Sequence, residues 1–361
     1  VDHLGSSDPR PEDLQEVVDL SIALGPEKTA EKRRSNFLKE SSRAADLRSA
    51  SAEIMKDLDP RVRNVLDKAG NRKANPAYLK KTLELWGYDQ TESLLEAIVK
   101  GFPVVGEIPV EHSTEPKIVA EINTKTVSKM YDSIRSAKDL QIAEEIHQQT
   151  LEEIELGRVS EPRSSPASTK APATKRFGIE QITSKGKTKI RCIDDYLRSG
   201  INSLCGVKGG LKMGKIEDLI TSAKQMAEAF PEDELVIFKT DFKAAYRCCA
   251  IKPDHLPFAE FCFVDPDSGE IKYADHYAMP FGSLAAVYAW DRVAHALTFL
   301  IRKVLIAPAI RYVDDLFGVI WKKDLHRAPP YRPPFLGSSW KLSDASLEAA
   351  GWSRSRQAPT L

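Results

Sequence analysis

The stretch APAIRYVDDLFGVIW, Ala307 to Trp321, sets two adjacent carboxylates, Asp314 and Asp315, in the middle of an otherwise almost wholly apolar run. Each half of the run suits a short buried strand, and Asp is a favoured turn residue. The stretch therefore reads as strand, tight turn, strand. A carboxylate held in apolar surroundings is costly unless a metal or another partner offsets its lost hydration. On the pair alone, a solvent-exposed turn and half of a metal site are equally good readings.

A second segment tips the balance. ELVIFKTDFKAAY, Glu234 to Tyr246, opens with a short apolar strand that runs into Asp241. If LVIFKTD lies beside AIRYVDD in an antiparallel sheet, Asp241 and Asp314 come within a few ångströms of each other. Alone, the two would repel and one would be driven to protonate. A hard divalent cation such as Mg2+ takes oxygen ligands and removes that penalty. Two such ions, ~3.5–4 Å apart, form the usual clamp for in-line phosphoryl transfer. Asp194–Asp195 is another acidic pair, and it reads as structural.

Two further boxes stand in order around these. TKIRCIDDYLRSGIN, Thr188 to Asn202, reads as a strand following a basic tip at Lys185, Gly186 and Lys187. YAMPFGSLAAVYAW, Tyr277 to Trp290, reads as a Pro-x-Gly turn into a long buried helix. Taken together, the four boxes resemble the fingers and palm of reverse transcriptases over about residues 177–321, and Asp241 and Asp314 stand 73 positions apart, as in that family. The resemblance implies an α+β fingers–palm fold, an antiparallel sheet with helices on one face, behind a mostly helical N-terminal region. It implies RNA-directed DNA synthesis with two Mg2+ ions, or Mn2+ in their place. The partners would be an RNA or DNA template with its primer and deoxynucleoside triphosphates. By the same resemblance Asp241, Asp314 and the main-chain carbonyl of Phe242 would hold the metals, and Asp315 would support them. Tyr246 would lie under the incoming sugar. Arg191 would grip the triphosphate, with Lys185 and Lys187 assisting, and Phe281 and Gly282 would shape the floor under the templating pair. A guanidinium fork suits phosphate.

Two rival readings remain: an inactive retroelement relic or nucleic-acid-binding module that keeps the fold, and an RNA-directed RNA polymerase. The three Asp favour activity. Tyr246, and Val rather than Gly before Asp314, favour deoxynucleotide synthesis. The family's primer grip and helical thumb have no counterpart in the Pro-rich residues 322–361, although FLG at Phe335–Gly337 resembles a primer grip.

Upstream, residues 1–158 read as a helical accessory region. Asn75, Pro76 and Gly87 punctuate one helix, and Asp89 and Gly101 the next. A long polar helix is expected from about Thr124 to Leu156, stopped by Gly157. Residues 159–174, containing EPRSSPASTKAPAT, read as a linker before the 175–321 domain. The chain has as many basic as acidic side chains, 52 of each, but residues 170–215 carry eleven Lys/Arg against three Asp/Glu. Such a block is a phosphate-facing surface in waiting. The five cysteines include no C-x-x-C pair, which points to a reducing intracellular compartment without a disulfide framework. The most apolar segment, Leu284 to Ile301, carries Asp291, Arg292 and His295, so no membrane span is expected. The chain opens on Val1 with no basic-then-apolar leader, and a longer parent protein is expected.

Overall fold

The computed structural model describes residues 10–68, 74–109, 124–135, 140–182, 186–207, 210–242 and 244–324. Helices dominate the first half: α1 (Glu12–Asp46), α2 (Arg48–Lys56), α3 (Pro60–Asp67), α4 (Pro76–Trp86) and α5 (Thr91–Lys100). After the short strand β1 (Gly106–Ile108) come α6 (Thr124–Arg135) and α7 (Leu140–Glu155). Strands β2 (Thr174–Ile182), β3 (Thr188–Asp194) and β4 (Cys205–Val207) precede α8 (Ile216–Ala229) and β5 (Leu235–Asp241). Then follow β6 (Glu260–Val264), β7 (Ile271–Asp275), α9 (Leu284–Leu305), β8 (Ala309–Tyr312) and β9 (Asp315–Trp321). The protein is thus mixed α+β with a helical N-terminal region.

The helix punctuation has physical causes. The Asn75 side chain accepts the amide of Tyr78, Pro76 occupies the first turn, and Gly87 closes α4 in the left-handed conformation. At α5 the cap is Gln90 rather than Asp89, and the Thr91 hydroxyl donates back to the Tyr88 carbonyl at 2.7 Å. The single long helix expected from Thr124 is described as two, α6 and α7, with residues 136–139 between them outside the described residues. Gly157, at φ +66°, follows α7 as its stop.

Strands form a sheet of order β5-β9-β8 and a second of order β3-β2-β6-β7, while β1 pairs with β4. The neighbour of β5 is β9, the second strand of the decisive hairpin, and not β8 as the sequence suggested. Most pairings are antiparallel, but β2 meets β6 in parallel through Thr174 and Lys175. Helices cover both faces of the β5-β9-β8 sheet rather than one. Leu316 and Ile320 join the core built on α9, whereas Val319 and Trp321 pack with Leu219 and Met226 of α8 and with Leu14, Val17 and Val18 of α1. The reason lies in the strand itself: LFGVIW is apolar at both parities, as a strand buried on two faces must be.

The helices α2 to α5 share the α9 core, through Met55, Val65, Leu83 and Leu94. The segment 159–174 runs along β7: Arg163 and Tyr273 exchange backbone hydrogen bonds at 2.7 and 2.9 Å, and the Arg163 guanidinium reaches Glu260 and Asp275. Residues 325–361, including Phe335–Gly337, lie outside the described residues.

Candidate functional site

Strand β9 begins where β5 ends, with Asp241 opposite Asp315 in register. Tyr312 pairs with Asp315 across the β8–β9 hairpin, leaving Val313 and Asp314 as a two-residue turn. The Phe242 amide donates to the Asp314 carbonyl at 3.1 Å. That bond ties the residue after Asp241 directly to Asp314, so the backbones of the two candidate metal ligands are adjacent. The expected convergence of the two strand ends therefore occurs, reached through β9.

Asp314 and Asp315 are half-buried and differ in their partners. The Asp315 carboxylate takes an ion pair from Lys239 Nζ at 2.8 Å. The Lys239 ammonium also lies 5.2 Å from the Phe317 ring centroid, its cross-strand partner. Asp315 is thereby ion-paired at the start of the central strand, which suits a supporting role. The charge of Asp314 is felt by Tyr246. Burial, and then this charge, raise the phenol above its ordinary pKa and keep it protonated.

Tyr246 opens a 3-10 turn, Tyr246–Cys248. Its ring meets Phe281 at 5.2 Å between centroids, tilted by 57°. The Arg191 guanidinium stands over the same Phe281 ring, 5.9 Å from its centroid. Arg191 and Tyr246 therefore share Phe281 as a neighbour, and Tyr246 is close enough to the hairpin turn to feel the charge of Asp314. Gly282 has φ +103°, and a methyl group there would run into the Asp194 carbonyl oxygen. The Phe281 carbonyl accepts the Asp194 amide at 3.1 Å, and Asn202 bonds the Gly282 carbonyl at 3.0 Å and the Leu284 amide at 2.8 Å. The Pro-x-Gly turn is thus clasped to the end of β3.

Asp194 reads as structural and is so: it is buried, with Arg176 Nε at 2.9 Å and His276 Nε2 at 3.1 Å. Lys185 lies outside the described residues. Lys187 is exposed just before β3. Lys189, passed over in the sequence reading, is exposed two residues before Arg191 on the same strand face. Period-two counting from Arg191 would have found it. α7 covers the opposite face, where Ile142 and Ile190 leave no room for more than Gly178.

Among the described residues no three His, Cys, Asp or Glu side chains cluster as a ready-made metal cage. The residue types that the backbone brings together at the strand ends, Asp241 and Asp314, are hard oxygen donors by chemistry. That set fits Mg2+, which keeps several waters and binds through one or two carboxylates plus substrate phosphates. No protein-family model matches the chain, and no curated protein matches it.

Proposed function

We propose that this chain carries a reverse-transcriptase-like fingers–palm unit and performs template-directed nucleotidyl transfer. The observation that carries the reading is the contact series Arg191–Phe281–Tyr246 beside a hairpin turn whose Asp314 carbonyl accepts the amide of Phe242, the residue after Asp241. A phosphate-binding cation, an aromatic floor and a sugar-sized ring follow one another beside the carboxylate turn, in the order that a bound nucleotide needs. Asp241, Asp314 and the Phe242 carbonyl would hold divalent metal. When bound, that metal would lower the pKa of a primer 3′-hydroxyl and offset charge on the phosphates.

The chain's own residues have separable tasks. Arg191, with Lys189 on the same strand and Lys187 just before it, attracts and orients the triphosphate. Phe281 packs against Tyr246 at a tilt and buttresses its ring. Tyr246 presents a protonated phenol whose bulk excludes a 2′-hydroxyl. Lys239 pairs with Asp315, which leaves that carboxylate a supporting role.

Primer extension on the full chain, with RNA and DNA templates, tests this. Asp241→Asn and Asp314→Asn should each lower the rate by at least about 10³-fold, in keeping with the electrostatic weight of such groups, while leaving the circular dichroism spectrum unchanged. Wild-type rates in either variant would overturn the two-carboxylate assignment. Template binding without extension by the parent chain would select the nucleic-acid-binding alternative.

A further inference from the structure

The turn that carries Asp314 has an unfavourable backbone. Val313, its first residue, sits at φ +54°. That left-handed region suits Gly or Asn and crowds a β-branched side chain, so the turn relaxes unless its neighbours hold it. Two neighbours do so. Trp290 of α9, 1% exposed, donates its indole N–H to the Val313 carbonyl at 3.0 Å. The Val313 amide donates to Met213 Sδ at 3.4 Å. The same indole packs against Phe242 at 5.1 Å and 65°, and Phe242 is the residue that follows Asp241. One side chain thus touches the chain immediately beside each candidate metal ligand. The next residue of α9, Asp291, takes Arg311 Nη1 at 2.5 Å, and Gly214 donates to the Arg311 carbonyl at 2.8 Å. The hairpin is therefore pinned by α9 on one side and by residues 213–214 on the other.

We propose that Trp290 is a positioning residue for the Asp241–Asp314 pair, clamping a strained turn so that divalent-cation affinity depends on its indole N–H. The inference rests on the metal-dependent reading above. Val313 supplies the stored strain, Trp290 and Met213 restrain it, and Phe242 transmits the same restraint to the end of β5.

The test is a Mn2+ titration of the full chain, reading free Mn2+ by electron paramagnetic resonance, with Asp241→Asn and Asp314→Asn as site-blind controls. Trp290→Phe keeps a stacking ring and removes the donor. It should weaken Mn2+ binding about tenfold, the worth of one buried hydrogen bond, and lower kcat with nucleotide KM unchanged. Met213→Leu, at a half-exposed position, should weaken binding in the same direction. Val313→Gly removes the strain, so in that background Trp290→Phe should cost less than about threefold. Unchanged Mn2+ affinity in Trp290→Phe overturns the proposal, as does a loss that Val313→Gly does not restore. If Trp290→Phe fails to fold, unchanged affinity in Met213→Leu overturns it. A parent chain whose Mn2+ binding is no better than that of its Asp→Asn controls defeats the metal-dependent reading itself, and the clamp with it.

Discussion

At the scale of single residues, Tyr246 joins the two halves of the site. Its ring rests on Phe281, and Arg247 beside it is buried, with bonds to Glu153 and to the Ala278 carbonyl, both at 2.6 Å. The backbone under the ring is therefore rigid, and shortening the side chain opens space rather than shifting the turn. Tyr246→Val should raise ribonucleotide use relative to deoxyribonucleotide use by about tenfold if ~1.4 kcal/mol of clash is relieved. Steady-state primer extension with matched ribo- and deoxynucleotides reads this directly, and an unchanged ratio returns Tyr246 to the role of a core tyrosine. Asp314, Tyr246, Phe281 and Arg191 were legible in the sequence because each sits in a short box with its own local grammar. Trp290 and Lys239 were not. Trp290 acts through the backbone of Val313, 23 positions away, and Lys239 through a strand register that no local pattern encodes.

At the scale of elements, a buried ionic network ties α7, β2, β3 and β7 together behind the candidate site. Arg176 binds Asp194 and the Thr150 hydroxyl, Glu153 binds Arg247 and Arg158, and His276 lies between Asp194 and Arg247. His276 is fully buried, with Asp194 and Arg176 Nη2 facing its Nε2 at 3.1 and 3.2 Å and Arg247 Nη1 facing its Nδ1 at 3.3 Å. Burial lowers its pKa to about 4; Asp194 opposes that shift, while Arg247 and Arg176 add to it. Burial would raise the Asp194 pKa, but Arg176 and His276 outweigh it and hold the carboxyl well below its usual range. The signs agree. Between pH ~6.5 and about 4 the unfolded chain takes up a proton on His276 that the fold refuses, so stability falls on acidification. Below that window, protonation of Asp194 in the unfolded chain continues the loss. Chemical denaturation from pH 7 to 4 should show a decline on the order of 2–3 kcal/mol from His276 alone. In His276→Gln that segment of the profile should flatten, and an equally steep profile in the variant would remove His276 from the account. Element types were largely readable, since β2, β3, α8, β5, the β6–β7 hairpin, α9 and the final hairpin each carry their own periodicity. Their arrangement was less so. The parallel β2–β6 contact and the insertion of β9 between β5 and β8 are choices of pairing, and apolar strands leave those open.

At the scale of the whole molecule, the N-terminal helices and the sheets share continuous cores. Leu14 is buried among Leu219, Ile310 and Trp321, and Arg33 and Asn36 of α1 bond the last carbonyls of α9, Leu305, Ile306 and Val304. Composition invited a boundary near residue 158, because polar helical faces resemble those of a separate region; burial is what joins them. Leu14→Ala should destabilise by about 2–5 kcal/mol. Tryptophan fluorescence, to which the buried Trp321 and Trp290 contribute among the chain's five tryptophans, and far-ultraviolet circular dichroism should shift together. A circular dichroism shift without a fluorescence shift would mean that α1 unfolds by itself. The capping of α9 by α1 also bears on how the chain is made. Residues 10–46 leave the ribosome well before their partners in α8, β9 and the end of α9. Throughout synthesis the apolar stripe of Leu14, Val17 and Val18 waits without its permanent cover. That cover is complete only once Trp321 has been made, so α1 is expected to dock late in folding.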